Sequence, residues 1–334
     1  MPYALRTWLG LLVVFGAAGL LFRQQEMALL VALSGVVVAA LAADISPRWR
    51  PLYQAVSLVF VGLCAAMFIG IAAYFHAAGP EPPLRFILEA YCVAAGVLLA
   101  ATVIPAAGRA ITRVLFRAGE TTHALRLAAR LMVVGFLLPL PAWFVAQDVL
   151  TDPEGALQAF GQLGEAGTVI GYVMLALAAV GFLVRRDTRA TLDRLGLGPV
   201  TGRHALIILL GVPLLFGLNA GGEWIQHRWL PDLWAADHRM NDAIVSALTP
   251  RTMLIVGLSA GIGEEITMRG ALQPRLGIML TSLLFAGLHV QYSWFGMATI
   301  FIFGLVLGTI RKRSNTTVVM AVHAIYDIVA LFTT

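Results

Sequence analysis

Three apolar stretches near the C-terminus carry ionisable residues at helical spacing. The first reads Gly257-Leu258-Ser259-Ala260-Gly261-Ile262-Gly263-Glu264-Glu265-Ile266-Thr267-Met268-Arg269. The second holds Ser282, Phe285 and His289, and the third has His323 and Asp327 four residues apart. An ionisable side chain at the centre of a bilayer costs roughly 2.5–3.5 kcal/mol on insertion scales. A chain that keeps Glu264, Glu265, Arg269, His289, His323 and Asp327 in such surroundings is expected to use them. A carboxylate and two imidazoles in a wet cavity can deprotonate water for attack on an amide, and further polar groups can stabilise the oxyanion that forms. Glu264 is the natural base.

The elements that must position these groups are membrane helices. Successive helical residues are ~100° apart, so the two glutamates cannot face one target. Glu265 and Arg269, four apart with the acid first, form a favourable intrahelical pair, which leaves Glu264 to face the bundle. Gly257 and Gly261 make a small-residue stripe that lets another helix approach closely. In the last span, Asp327 sits one turn from His323 and can fix its tautomer. At 1.5 Å rise per residue, Glu264, His289, His323 and Asp327 all fall in one slab of the inner half-membrane. Three independent structural polar groups would not need to agree in this way.

Composition requires the lipid. The 334 residues are 59% hydrophobic and 12% charged, with a mean hydropathy of +0.84, whereas soluble domains carry about 25% charged residues. The expected fold class is all-α, a polytopic membrane helix bundle of about 11 spans: roughly 7–22, 27–43, 52–75, 84–107, 126–146, 168–184, 204–220, 252–270, 277–292, 294–310 and 316–332. With the N-terminus inside, 18 of the 23 basic residues fall on one side and 5 on the other. Positive charge collects on the cytoplasmic side, so the expectation is a multi-pass protein of the inner membrane with a cytoplasmic N-terminus. The same asymmetry explains the net charge of +5 without nucleic acid. No cleaved signal peptide is expected, because a second apolar run follows the first almost at once.

Cys64 and Cys92 lie inside spans and read as packing residues. Glu89 lies one turn from Arg85 and reads as the acid of a helix-end ion pair. The 109–130 segment, with five arginines, reads as a surface helix on anionic lipid or as a solvated loop. The acidic 147–167 segment suits the outer side, as does the tryptophan-bearing 221–251 segment with Trp224, Trp229 and Trp234. His76, His123, His204, His227 and His238 read as solvated. Leu195-Gly196-Leu197-Gly198-Pro199 marks a loop, and a domain boundary is placed near it. Residues 1–184 form N-terminal membrane helices without an assigned role, and residues 185–334 form the domain that carries the chemistry.

Glu264-Glu265-x-x-x-Arg269, Phe285-x-x-x-His289 and His323-x-x-x-Asp327 resemble, in order and spacing, the three motifs of the CPBP family. These are intramembrane proteases related to the CAAX prenyl endopeptidases and the bacteriocin-processing or self-immunity (Abi) proteins. The resemblance covers about residues 185–334. It implies a glutamate-activated endopeptidase in which Glu264 and His289 activate water while His323 and residue 327 support the tetrahedral intermediate. The substrate it implies is a membrane-associated or lipidated protein or peptide, met in the bilayer. Position 327 departs from the common asparagine of that family, and an ionised aspartate cannot donate a hydrogen bond to an oxyanion. The favoured mechanism uses no cofactor. The alternative is a zinc ion on Glu264, His289, His323 and Asp327. Two other readings stay open: an ion-coupled transporter, since midplane charges also mark ion pathways, and a non-catalytic immunity or scaffold protein. The GxSxG pattern around Ser259 needs a strand-turn-helix elbow and here lies in a membrane span.

Overall fold

The computed structural model describes residues 2–116, 119–149 and 167–333, and all regular elements among them are helical. In chain order they are α1 (Pro2–Leu21), α2 (Gln25–Ile45), a short 3-10 turn (Pro47–Trp49), α3 (Arg50–Ala78), α4 (Leu84–Ala101), α5 (Pro105–Phe116), α6 (His123–Leu137) and α7 (Pro139–Val149). After the undescribed segment come α8 (Gly167–Val180), α9 (Thr188–Leu195), α10 (Gly202–Trp229), α11 (Pro231–Ser246) and α12 (Pro250–Ser259). Two π-helical segments follow, π1 (Ala260–Glu264) and π2 (Ile266–Leu272). The chain closes with α13 (Gln273–Gly287), α14 (Trp294–Arg313) and α15 (Thr316–Thr333). Most of the acidic 147–167 segment lies outside the described residues.

Among the described residues eight helices are long and apolar enough to cross a membrane. A ninth is added if α11 and the run from Pro250 to Gly287, bent by 115°, count as one broken span. The described residues give fewer spans than the expected eleven, for two local reasons. The 168–184 stretch yields a helix of only 14 residues, α8. The 252–270 and 277–292 stretches join into a single run, interrupted at Gly277, whose φ of 78° only glycine adopts readily.

The chain divides into two compact units, residues 1–35 with 147–334, and residues 36–146. The expected boundary at 184/185 falls within the first. In the second unit, Ala72, Phe75, Leu88 and Cys92 pack one apolar cluster and Val61, Leu99 and Val133 another. Here two sequence expectations change. Arg130 does not lie on a surface helix. It is buried on α6, donating from Nε to Thr102 Oγ1 (3.2 Å), from Nη2 to the Thr102 carbonyl (2.9 Å), and to Ser57 and Tyr53. His123 is not solvated either; its backbone N–H donates to Asp44 Oδ1 at 2.6 Å, and its ring Nδ1 lies 3.0 Å from the same oxygen. The Arg85–Glu89 pair forms as expected, at 3.8 Å.

In the first unit, local sequence sets the helix ends. Asp187 accepts from the Ala190 N–H to start α9, and Gly196 (φ 66°) ends it. Thr201 with His204, and Thr249 with Thr252, close reciprocal caps on α10 and α12. Arg311, Lys312 and Arg313 occupy the last turn of α14, where cations suit the helix dipole. Two apolar clusters bind these helices together. One joins α8, α9 and π2 through Ala176, Val180, Leu195, Ile266 and Ala271. The other joins α10, α14 and α15 through Leu215, Phe303, Leu307, Val319 and Val322. In lipid such contacts act through close packing rather than through water exclusion.

The approach of α15 to the α12–π1 run is close. A Cβ built on Gly261 would meet the Ala324 backbone N and Cβ at 2.5 Å, and one on Gly257 would meet Ile328 Cγ1 at 2.6 Å. The stripe expected from sequence is therefore the seam along which the third motif meets the first. Gly261→Ala is predicted to destabilise the protein by about 1–3 kcal/mol, the usual cost of overpacking, read as a lowered unfolding midpoint in detergent. A variant as stable as wild type would show that the seam can open.

Candidate active site

The site is built where the helix carrying the glutamates leaves α-helical winding. The sequence predicts an ordinary α-helix across 252–270, but from Ala260 to Leu272 the backbone is π-helical apart from the single step at Glu265. Such turns are rare and are often found at functional sites. Glu265 and Arg269 are fully buried and form the expected pair, with Arg269 Nε 3.1 Å from Glu265 Oε2. The Arg269 guanidinium lies over the Phe285 ring, 5.2 Å from its centroid, and its Nη1 and Nη2 make no hydrogen bond with any described group.

Glu265 has a second partner that the spacing argument missed. Its Oε1 lies 3.0 Å from His323 Nδ1, while His323 Nε2 lies 3.2 Å from Asp327 Oδ2. A chain of charge thus runs from the buried Arg269, Glu265 and His323 to the partly exposed Asp327, linking the first motif to the third. The His323–Asp327 contact was legible from their four-residue spacing. The Glu265–His323 contact was not, because it depends on which helices meet.

Glu264, His289, His323 and Asp327 all line one cavity of about 400 Å³. Glu264 is only partly buried and makes no hydrogen bond or ion pair with another described residue. His289 stands not on a helix but on the turn just past Gly287. Its Nδ1 lies 2.8 Å from the Phe285 carbonyl. A carbonyl only accepts, so Nδ1 carries the proton and, in the neutral ring, Nε2 keeps a free lone pair. Phe285 touches both imidazoles edge-on, with centroids 4.9 Å from His289 and 5.9 Å from His323. Ser282, which shares its helix face by spacing, packs instead against Gly304 and does not line the cavity. Ser259 ends α12 in helical geometry, with no elbow, and is likewise absent from the cavity wall.

The opposite wall comes from residues the sequence reading did not assign. It ended the seventh span near residue 220, whereas α10 continues to Trp229. Asn219, Glu223 and Gln226, spaced four and three apart and so on one face, line the cavity with Asp237 and Asn241 of α11 and with Tyr292. That helical spacing was the available signal. Asp237 is buried and accepts from Ser293 N (2.6 Å), Ser293 Oγ (2.7 Å) and Gln226 Nε2 (2.7 Å). His238 is exposed, as expected, and it stacks on Trp234 at the cavity wall.

A catalytic zinc takes about three protein ligands and an open position. Among the described residues no group of three or more His, Cys, Asp or Glu side chains is arranged to hold a metal ion. Both ring nitrogens of His323 already face carboxylate oxygens. As they stand, Glu264, His289, His323 and Asp327 do not fit a zinc centre.

The two glutamates predict opposite responses. Arg269→Ala leaves the carboxylate of Glu265 buried without its cation, a loss of about 3–5 kcal/mol, seen as a sharp fall in unfolding midpoint. Glu264→Ala removes no described partner and is predicted to shift that midpoint little. Equal losses in the two variants would contradict this division.

Residues 246–329 match the family model described as type II CAAX prenyl endopeptidase Rce1-like. A protein of Bacillus subtilis (strain 168), named uncharacterized protein YpbD, is 28% identical over 160 residues, 47% of this chain and 82% of that protein. No solved structure matches. All three motifs lie within the matched residues, and over that C-terminal region the chain is similar to the Rce1-like type II CAAX prenyl endopeptidases.

Proposed function

We propose that this chain is an intramembrane endopeptidase that hydrolyses a peptide bond of a membrane-associated or lipidated protein. The observation that supports the reading is that a carboxylate with no described partner, Glu264, and an imidazole, His289, line the same cavity. Both present acceptors. A water molecule held between Glu264 and His289 Nε2 has its two protons drawn to the protein and a lone pair left for the carbonyl carbon. As the water attacks, Glu264 takes a proton, and it returns that proton to the departing amine.

His323 plays a different part. With a carboxylate oxygen at each ring nitrogen it donates from both, so it has no lone pair to act as a base. Its imidazole is a fixed, donor-only group beside the cavity, suited to offsetting negative charge on the tetrahedral intermediate. Asp327 acts through it as an acceptor that holds the ring, which suits an aspartate better than direct donation to the oxyanion does. Glu265 and Arg269 hold the other side. Residues 185–334 are the domain that carries this chemistry, within a multi-pass membrane protein whose arginine distribution supports a cytoplasmic N-terminus.

The experiment follows cleavage of lipid-anchored reporter peptides by the purified full-length protein. Glu264→Ala and His289→Ala are each predicted to lose 10²–10⁴-fold in rate, the usual contribution of general acid–base catalysis, while Ser259→Ala keeps wild-type activity. Normal cleavage by Glu264→Ala would end the proposal. Proton- or sodium-driven uptake lost in the same variants would favour a transporter instead.

A further inference from the structure

We propose that the α10 wall of the cavity is a subsite for a cationic substrate side chain, lysine or arginine, and that Glu223 is its specificity-determining residue. The proposal rests on the endopeptidase reading of the same cavity.

The cavity extends from Glu264 and the two imidazoles to α10 and α11 as one space. Among the described residues that line it there are four carboxylates, Glu223, Asp237, Glu264 and Asp327, and no lysine or arginine. Three of the four are already employed. Asp237 is saturated by Ser293 and Gln226, Asp327 holds His323, and Glu264 belongs to the chemistry. Glu223 differs. It accepts a single hydrogen bond, from Asn219 Nδ2 at 2.7 Å, where Asp237 accepts three, so Glu223 keeps acceptor positions open. The histidines of the wall do not answer it: His289 is held by the Phe285 carbonyl, His323 lies between two carboxylates, and His238 stacks on Trp234 near Asp242.

Glu223 is exposed at this end of the cavity, so its attraction for a cation and its repulsion of an acid are those of a solvent-screened charge, modest in size. A bound metal ion is a poor candidate, since among the described residues no ligand set of three exists. A peptide side chain is a better one. Its aliphatic stem can lie along Ile300 and Phe303, which line the same space, while its charged head reaches Glu223 and Asn219. Long basic side chains divide themselves between apolar wall and polar tip in this way. The expected substrate therefore carries Lys or Arg a few residues from the bond cut, and substrates with Asp or Glu there are rejected.

The test uses the full-length protein in lipid nanodiscs and short dodecanoylated peptides that differ only in having Arg, Leu or Glu at successive positions. Binding is read by fluorescence anisotropy and cleavage separately. At one position the Arg peptide is expected to bind about fivefold tighter than the Leu peptide, in line with one partly screened ion pair, and the Glu peptide more weakly than either. Glu223→Gln should remove this ranking and Glu223→Lys should reverse it, a result that a misfolded variant cannot produce. Equal binding of Arg and Glu peptides at every position, absence of binding throughout, or a ranking unchanged in Glu223→Gln would each overturn the proposal. Cleavage of bound peptide that persists in Glu264→Ala would instead strike at the proteolytic reading, leaving the binding preference to stand or fall on its own.

Discussion

A largely buried chain of charges governs the candidate site. Arg269, Glu265, His323 and Asp327 alternate in sign or polarity across two helices, and each interior member touches a partner on either side. In an apolar bundle no one of these groups can be removed without stranding another, so they constrain helix placement as strongly as packing does. The chain explains why two adjacent glutamates behave differently. Glu265 is consumed in holding the helices in register, and Glu264 is left with its carboxylate facing open space.

That arrangement depends in turn on backbone approach. A bridge of 3.0 Å between Glu265 and His323 requires the two helix backbones to lie nearly in contact, which only small residues allow. Gly261 against Ala324 supplies this contact four residues before Glu265. The π-helical winding begins at the same place. Small residues, widened winding and buried charge are thus successive parts of one construction, and the apolar clusters around α10, α14 and α15 keep it closed.

How much of this was legible in the sequence follows from how local each feature is. The helices, the Glu265–Arg269 pair, the His323–Asp327 pair and the glycine seam are set by spacing within one segment, and they were readable. The π segments were not, since no residue pattern distinguishes them from α-helix, and Gly277 concealed the joining of two expected spans. The bond between Glu265 and His323 links residues far apart in sequence. The second wall was hidden by a different cause: polar residues 221–229 look like a loop to hydropathy, although Asn219, Glu223 and Gln226 keep a strict helical face. Arg130 misled for the converse reason, because its neighbours in a basic segment suggest a surface, while Thr102, Ser57 and Tyr53 supply its donors with buried acceptors.

The three hydrogen bonds converging on Asp237 have a mechanical consequence. They tie α11 to α10 through Gln226 and to the N-cap of α14 through Ser293, fastening three helices at one end of the chamber. A guest too broad for that end cannot be admitted by swinging α11 aside like a flap, because the hinge would have to break all three bonds together. Breathing at this end is therefore a collective movement of three rods, slow and costly, and a bulky guest is better served by a sideways passage between helices that are not so laced.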